Sequence, residues 1–241
     1  MSYDISELNS MKRHWLLRGS NIPRRFLGYE PADIEERTGS FPMEIEEWIE
    51  DVLAGDVIKQ IGKLGTTGVG LLFDGGPGLG KTTHAVTTLM EIVRRLPEND
   101  EAARDILGLS ADNFGMAARP VYYMTFPEFL SRKKALIDAD PETKKELYRE
   151  MEGFHGRAKE DHLNVRVLVL DDLGKEYGSK YDDTSFDEVL RARYDKALPT
   201  IITTNVSREK WAGQYGEAMG SFAFEAFHRV RIQGQDLRKN K

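Results

Sequence analysis

The sequence predicts an α/β fold, with a parallel sheet covered by helices. Three observations predict it. Four short runs, residues 69–73, 121–125, 165–170 and 200–203, are strand-sized and mostly apolar on both faces, as strands buried from both sides are. Helical spacing separates them, at 82–96, 127–137 and 184–198. The first run opens into Asp74-Gly75-Gly76-Pro77-Gly78, a loop that leads directly into a helix.

Composition narrows the classes. The chain has 241 residues, 40% hydrophobic and 31% charged, enough apolar material for one core plus an appendage. Its longest apolar runs fall far short of the ~20 residues that span a bilayer. The opening MSYDISELNS lacks the basic-then-apolar pattern of a secretory signal. Cysteine is absent, which excludes disulfides, thiolate zinc sites and cysteine nucleophiles. Histidines 14, 84, 155, 162 and 228 show no ligand spacing. No membrane association is expected, and the expected compartment is the cytoplasm of a bacterium, or of one infected by a virus.

In chain order, residues 1–40 read as an N-terminal arm and 41–241 as the main domain. Residues 5–18 carry Leu8, Met11, Trp15 and Leu16 at roughly helical spacing, before Gly19-Ser20-Asn21-Ile22-Pro23 breaks the pattern. That apolar face suits either a partner's groove or the protein's own core. Residues 42–53 form a helix with Pro42 at its start and Ile45, Trp48, Ile49 and Val52 on one side. The helix at 82–96 carries Ala85, Leu89, Ile92, Val93 and Leu96. Residues 141–162 are heavily charged, with Leu147 and Met151 as sparse apolar points, and predict an exposed helix or a mobile segment. The run at 165–170 is interrupted only by Arg166; the helix at 184–198 has Phe186, Val189, Leu190 and Tyr194 as its core face. Ser207 is placed to cap a helix running to Tyr215, and residues 227–232 are a candidate last strand.

The net charge of −6 is unevenly placed: residues 8–29 sum to +5 with no acid, residues 228–241 to +4, and the remainder to −15. Basic ends on an acidic body suit an anionic partner such as nucleic acid, or are simply solvated.

The strongest motif is Gly75-Gly76-Pro77-Gly78-Leu79-Gly80-Lys81-Thr82, which matches G-x-x-x-x-G-K-[ST] in full and is followed by Thr83. Its glycines let the backbone wrap a phosphate, with successive N–H groups and the helix's positive end turned inward. Lys81 is expected to reach the β- and γ-phosphates of ATP, and the Thr82 hydroxyl to ligate Mg²⁺. Ninety residues beyond Lys81, the run Val167-Leu168-Val169-Leu170 emerges into Asp171-Asp172. Asp171 is expected to hold the Mg²⁺ through its water shell. Asp172, one residue on, points to the other side of a regular strand and is a candidate for polarising an attacking water. Asn205 ends the 200–205 run, placed either to contact the γ-phosphate and that water or to make a turn.

Together these elements resemble the AAA+ ATPases of the DnaC/IstB type, the helicase loaders and transposition helper ATPases. The resemblance runs from about Ile22 to Arg238 and rests on GGPGLGKTT at 75–83, VLVLDDLGKE at 167–176, ARYDKALPTIITTN at 192–205 and IQGQDLR at 232–238. Ile22-Pro23-Arg24-Arg25-Phe26 looks like the family's entry segment, which the resemblance places near the adenine. It implies a P-loop NTPase of the AAA+ (ASCE) class, three-layered around about five parallel strands. It also implies Asp171 and Asp172 as metal-binding and water-activating pair, Asn205 as sensor, and Arg238 as a nucleotide sensor in cis. ATP is implied to sit between subunits of an ATP-bound homo-oligomer, with single-stranded DNA inside and a replicative helicase as partner. The family's trans arginine falls where this chain has Phe222, so Arg229, Arg231 or Arg193 must substitute, Arg229 being preferred, or hydrolysis is weak. Few residues precede the entry segment, so helicase contact would use the 5–18 helix. The implied function is ATP-dependent loading or remodelling of a replicative helicase. The alternatives are a transposition helper ATPase and a nucleotide-binding switch that hardly hydrolyses.

Overall fold

The structure, a computed structural model, describes residues 5–58, 65–109, 119–174 and 180–234. The arm contributes a 3-10 turn at Ile5–Glu7, helix α1 (Ser10–His14), a π-helical turn at Trp15–Gly19 and a 3-10 turn at Arg24–Phe26. Then follow α2 (Pro31–Thr38), α3 (Met43–Leu53), β1 (Gly70–Asp74), α4 (Lys81–Arg95) and α5 (Asp100–Ile106). The second half holds β2 (Val121–Thr125), α6 (Phe126–Asp138), α7 (Pro141–Phe154), β3 (Val167–Leu173), α8 (Lys180–Tyr194), β4 (Thr200–Thr204), α9 (Trp211–Tyr215), α10 (Glu217–Ala226) and β5 (Phe227–Arg231). The five strands form one parallel sheet in the order β2-β3-β4-β1-β5. Among the described residues, no helix is long and apolar enough to cross a membrane.

Strand alternation builds the three layers. Leu71, Phe73, Tyr123, Val169 and Ile201 face a core shared with α3, α4 and the arm; Leu72, Met124, Leu170 and Ile202 face a second core with α6 to α10. Both faces are covered, which is why the strand sequences read as almost continuously apolar.

The arm shares the first core. Leu8, Trp15, Leu16, Ile22, Phe26 and Ile34 are buried in it, so of the two readings for the 5–18 face the inward one describes these side chains. Lys12, counted among the basic residues offered to an anionic partner, is instead 1% exposed: its Nζ donates to the carbonyls of Arg94 and Leu96 at the end of α4 and pairs with Glu98. An ammonium group there complements the helix's negative end.

Other boundaries moved for identifiable reasons. The third strand starts at Val167, past Arg166, whose guanidinium bonds the Gly108 carbonyl and Asp161, and it runs on through both aspartates to Leu173. The helix predicted at 184–198 stops at Tyr194, four residues before Leu198, because Ala197 is left-handed (φ 54°) and Pro199 follows. The Ser207 side chain makes no capping bond; a 3-10 turn, Arg208–Lys210, precedes α9. Helices α2, α5 and α10 were not expected. α2 is started by Pro31 and by the backbone N–H of Glu30 donating to Asp33, and α5 by Asn99 accepting from the Ala102 N–H.

The charged 141–162 stretch is helical to Phe154, with Met151 and Phe154 turned inward. His155 follows, buried: its Nδ1–H donates to the Met151 carbonyl at 2.7 Å, and its Nε2 has no hydrogen-bond partner. Burial lowers its pKa, only partly offset by the hydrogen bond to the Met151 carbonyl and by Glu188, while Lys133 and Arg157 push the same way as burial. The unfolded chain therefore takes up a proton that the folded one resists, so this histidine's effect is to reduce stability as pH falls below about 6.5. His155→Leu should lose less melting temperature between about pH 7.5 and about pH 5.5 than the parent does; equal losses in calorimetry would show that the ring is protonated in place.

Candidate nucleotide-binding site

The phosphate loop hangs between the end of β1 and the start of α4. A Cβ at Gly75 would sit 2.4 Å from the Ile232 carbonyl oxygen, so this position admits only glycine where the β5 extension passes. Gly80 caps α4 in the left-handed conformation (φ 85°), aiming the first helical N–H groups at the loop. Gly76 and Pro77 are exposed, Gly78, Leu79, Thr82 and Thr83 half-buried, and Lys81 buried. The Lys81 Nζ donates to the carbonyls of Gly75 (2.9 Å) and Gly76 (2.7 Å) and to Asn205 Oδ1 (2.8 Å). The sequence-predicted lysine and the asparagine 124 residues later thus meet at one point.

The carboxylate side is equally close. The Thr82 hydroxyl lies 2.9 and 3.1 Å from the two Asp171 oxygens. Asp171 is 2% exposed and also accepts from the Thr203 hydroxyl and from Tyr123 Oη at 2.8 Å. Burial pushes its pKa up, the three hydroxyls pull it back, and the charge of Asp172 adds to the rise. The same burial, with Asp171 beside it, drives the Tyr123 phenol well above its ordinary range. A buried carboxylate whose ionised form is only partly compensated by neutral donors, with a hydroxyl alongside, is an oxygen donor set that fits Mg²⁺. Thr82 and Asp171 are the residues that would hold it. When bound, such a cation neutralises charge on phosphate oxygens.

Asp172 departs from the regular-strand expectation. The register between β3 and β4 shifts between Leu170 and Leu173, and Asp172 is left-handed (φ 64°), with its N–H donating to Thr203 Oγ1 at 3.0 Å. The bulge breaks the strict alternation that would send Asp172 to the opposite face, and its charge acts on both Asp171 and Tyr123. A left-handed aspartate costs on the order of 1–3 kcal/mol, and such strain is concentrated at functional sites.

The arginine candidates separate clearly. Arg193 is fully buried and donates to four backbone carbonyls and Thr200, so it is not available to another subunit. Arg229 bonds Asp74, the residue before the phosphate loop, at 2.6 and 2.8 Å, and also pairs with Glu209. Reaching a neighbour's phosphate would require it to leave both acids. Arg231 is exposed on β5. Phe222 is a core residue, edge-on to Tyr194 and Phe227, with the Arg191 guanidinium 4.7 Å above its ring. Arg238 lies outside the described residues.

The entry segment Ile22–Phe26 sits on the Tyr123 side of Asp171. Its residues Ile22, Pro23, Arg24 and Arg25 line an open cleft of about 960 Å³ together with Tyr123, Thr125 and Glu128, and no phosphate-loop residue contributes to this cleft. Sequence reasoning missed Tyr123 and Thr203 as partners of Asp171. Their signal lay in the register that sets β2 and β4 either side of β3.

No known protein-family profile and no curated protein matches the chain. Among solved structures, it is similar to that of DnaI (19% identity, TM-score 0.57), covering 89% of this chain and 96% of the other. It is similar to the DnaC helicase loader (23%, 0.54), covering 88% and 100%. A primosome component of Streptococcus pyogenes serotype M3 gives 20% and 0.52 over 89% and 91%. The chain therefore has the P-loop AAA+ fold of the DnaI and DnaC structures.

Proposed function

We propose that this chain is an ATP-dependent DNA replication factor of the helicase-loader type. The observation that carries the reading is the convergence of Lys81, Asn205, Thr82 and Asp171, with Asp172 beside them, at the carboxyl ends of β1, β3 and β4. Backbone amides and Lys81 would bind the triphosphate, Thr82 and Asp171 the Mg²⁺, and Asp172 would orient and deprotonate the attacking water with Asn205 beside it. Residues 41–241 would form the ATPase domain, packed against the arm of residues 1–40. The partners would be a replicative helicase, single-stranded DNA and further copies of the chain in the ATP-bound form, in the cytoplasm. Coverage of nearly the whole DnaC and DnaI structures supports the loader reading. Capture of a replicative helicase by the tagged protein tests it; recovery of a transposase and no helicase would transfer the chain to the transposition helpers.

A nucleotide switch with slow hydrolysis is the second reading. It is favoured by Phe222 lying in the core and by the intrachain pairing of Arg229. Asp172→Asn separates the two. In an ATPase it should keep Mg-ATP affinity and lower turnover about a hundredfold, the low end of what a positioned base supplies. Equal turnover in parent and variant would show that another group orients the water.

A further inference from the structure

We propose that the cleft between the arm and the β2 edge binds the phosphodiester backbone of single-stranded DNA and reports its occupancy to Asp171 through Tyr123. This rests on the replication-factor reading and gives it a location. Arg18, Arg24 and Arg25 line the cleft and are exposed, and among the described residues none of the three has a carboxylate partner. The acid in the lining, Glu128, accepts from Arg132 at 2.6 Å. No acid occurs between residues 8 and 29, so the field over the cleft is not cancelled locally. The exposed Arg25 guanidinium lies 4.7 Å over the Phe26 ring. Guanidinium forks match phosphate oxygens. Leu17, which is 51% exposed, and the neighbouring Ile22 and Pro23 add apolar surface for sugars and bases. A volume of about 960 Å³ holds more than one nucleotide unit.

The cleft is preformed. The Tyr123 N–H donates to the Ser20 carbonyl at 2.8 Å, and Asn21 Nδ2 donates to the Tyr123 carbonyl at 2.9 Å. The arm thus satisfies the outer edge of β2, and Tyr123, whose main chain forms this wall, places its hydroxyl on Asp171. A shift of the arm on loading DNA is transmitted through one residue to the carboxylate of the nucleotide site.

The test uses the full chain and a fluorescent oligo(dT). Arg18→Glu combined with Arg24→Glu touches two exposed side chains, so melting temperature should match the parent. Oligonucleotide affinity should fall at least tenfold, and the log–log salt dependence should become shallower by about 1.4, two phosphate contacts at ~0.7 each. Tyr123→Phe should keep oligonucleotide affinity and abolish the change in ATP turnover that the oligonucleotide causes in the parent. A parent that binds oligo(dT) and a double variant that binds it equally well would overturn the cleft while leaving the replication reading intact. A double variant that keeps the oligonucleotide but loses an acidic protein partner would also overturn it. Unchanged coupling in Tyr123→Phe would overturn the relay. A parent blind to oligo(dT) removes single-stranded DNA from the proposed function and this site with it.

Discussion

Lys81→Ala is expected to lose about a hundredfold in Mg-ATP affinity and to bring turnover to background. Without nucleotide, the ammonium group is spent on the carbonyls of Gly75 and Gly76 and on Asn205. These are the groups that border a bound phosphate chain, so the lysine is already stationed where the triphosphate would lie. Charge-assisted hydrogen bonds contribute ~1.5–3 kcal/mol each, and two lost contacts to phosphate oxygens amount to about 3 kcal/mol, slightly over two decades in affinity. The cost to the unliganded fold is smaller. Asn205 is exposed and Gly76 lies at the exposed crest of the loop, so water can replace the lysine at both. The expected signature is therefore a split, with a large loss in calorimetric Kd and a small change in melting temperature. An unchanged Kd would contradict the assignment of the loop.

The legible part of this site is the part made by consecutive residues. Gly75 to Thr82 is one loop and its chemistry is local, so spacing alone locates it. Asp171 and Asn205 are legible because each ends an apolar run, and strand ends in a parallel α/β sheet share one edge. What the sequence hides is set by neighbours across strands. Tyr123 and Thr203 serve Asp171 only because β3 lies between β2 and β4. The bulge at Asp172 is a register shift with no local signature beyond two successive acids. Lys12 looks like a solvated cation in a basic arm, yet it closes the end of a helix more than eighty residues away. Phe222 reads as a departure from a family pattern, and its side chain answers to the core.

Arg193 is the most hidden of these residues, and its replacement should have the largest effect on stability. Its guanidinium is 0% exposed. It donates to the carbonyls of Phe154, Val165, Arg166 and Pro199 at 2.8–3.0 Å and to Thr200 Oγ1 at 2.9 Å. It thereby ties the end of α7 and the approach to β3 to the start of β4. Burial, with the charge of Arg166 acting in the same direction, pulls its pKa down to about 9, so it stays a cation at neutral pH. In Arg193→Met the thioether fills part of the volume and satisfies none of the carbonyls. Each buried acceptor left unpaired costs ~1–3 kcal/mol, partly offset because the guanidinium no longer has to be desolvated. The net loss should be about 3 kcal/mol, near 10 °C of melting temperature in a chain of this size. All five acceptors lie at or before the amino ends of β3 and β4 or at the end of α7, while Asp171 and Asn205 sit at the carboxyl ends. Below its melting transition, the variant should therefore bind Mg-ATP and turn it over as the parent does. A folded variant with lost turnover would instead make Arg193 part of the catalytic machinery, and an unchanged melting temperature would mean that the carbonyls find other donors.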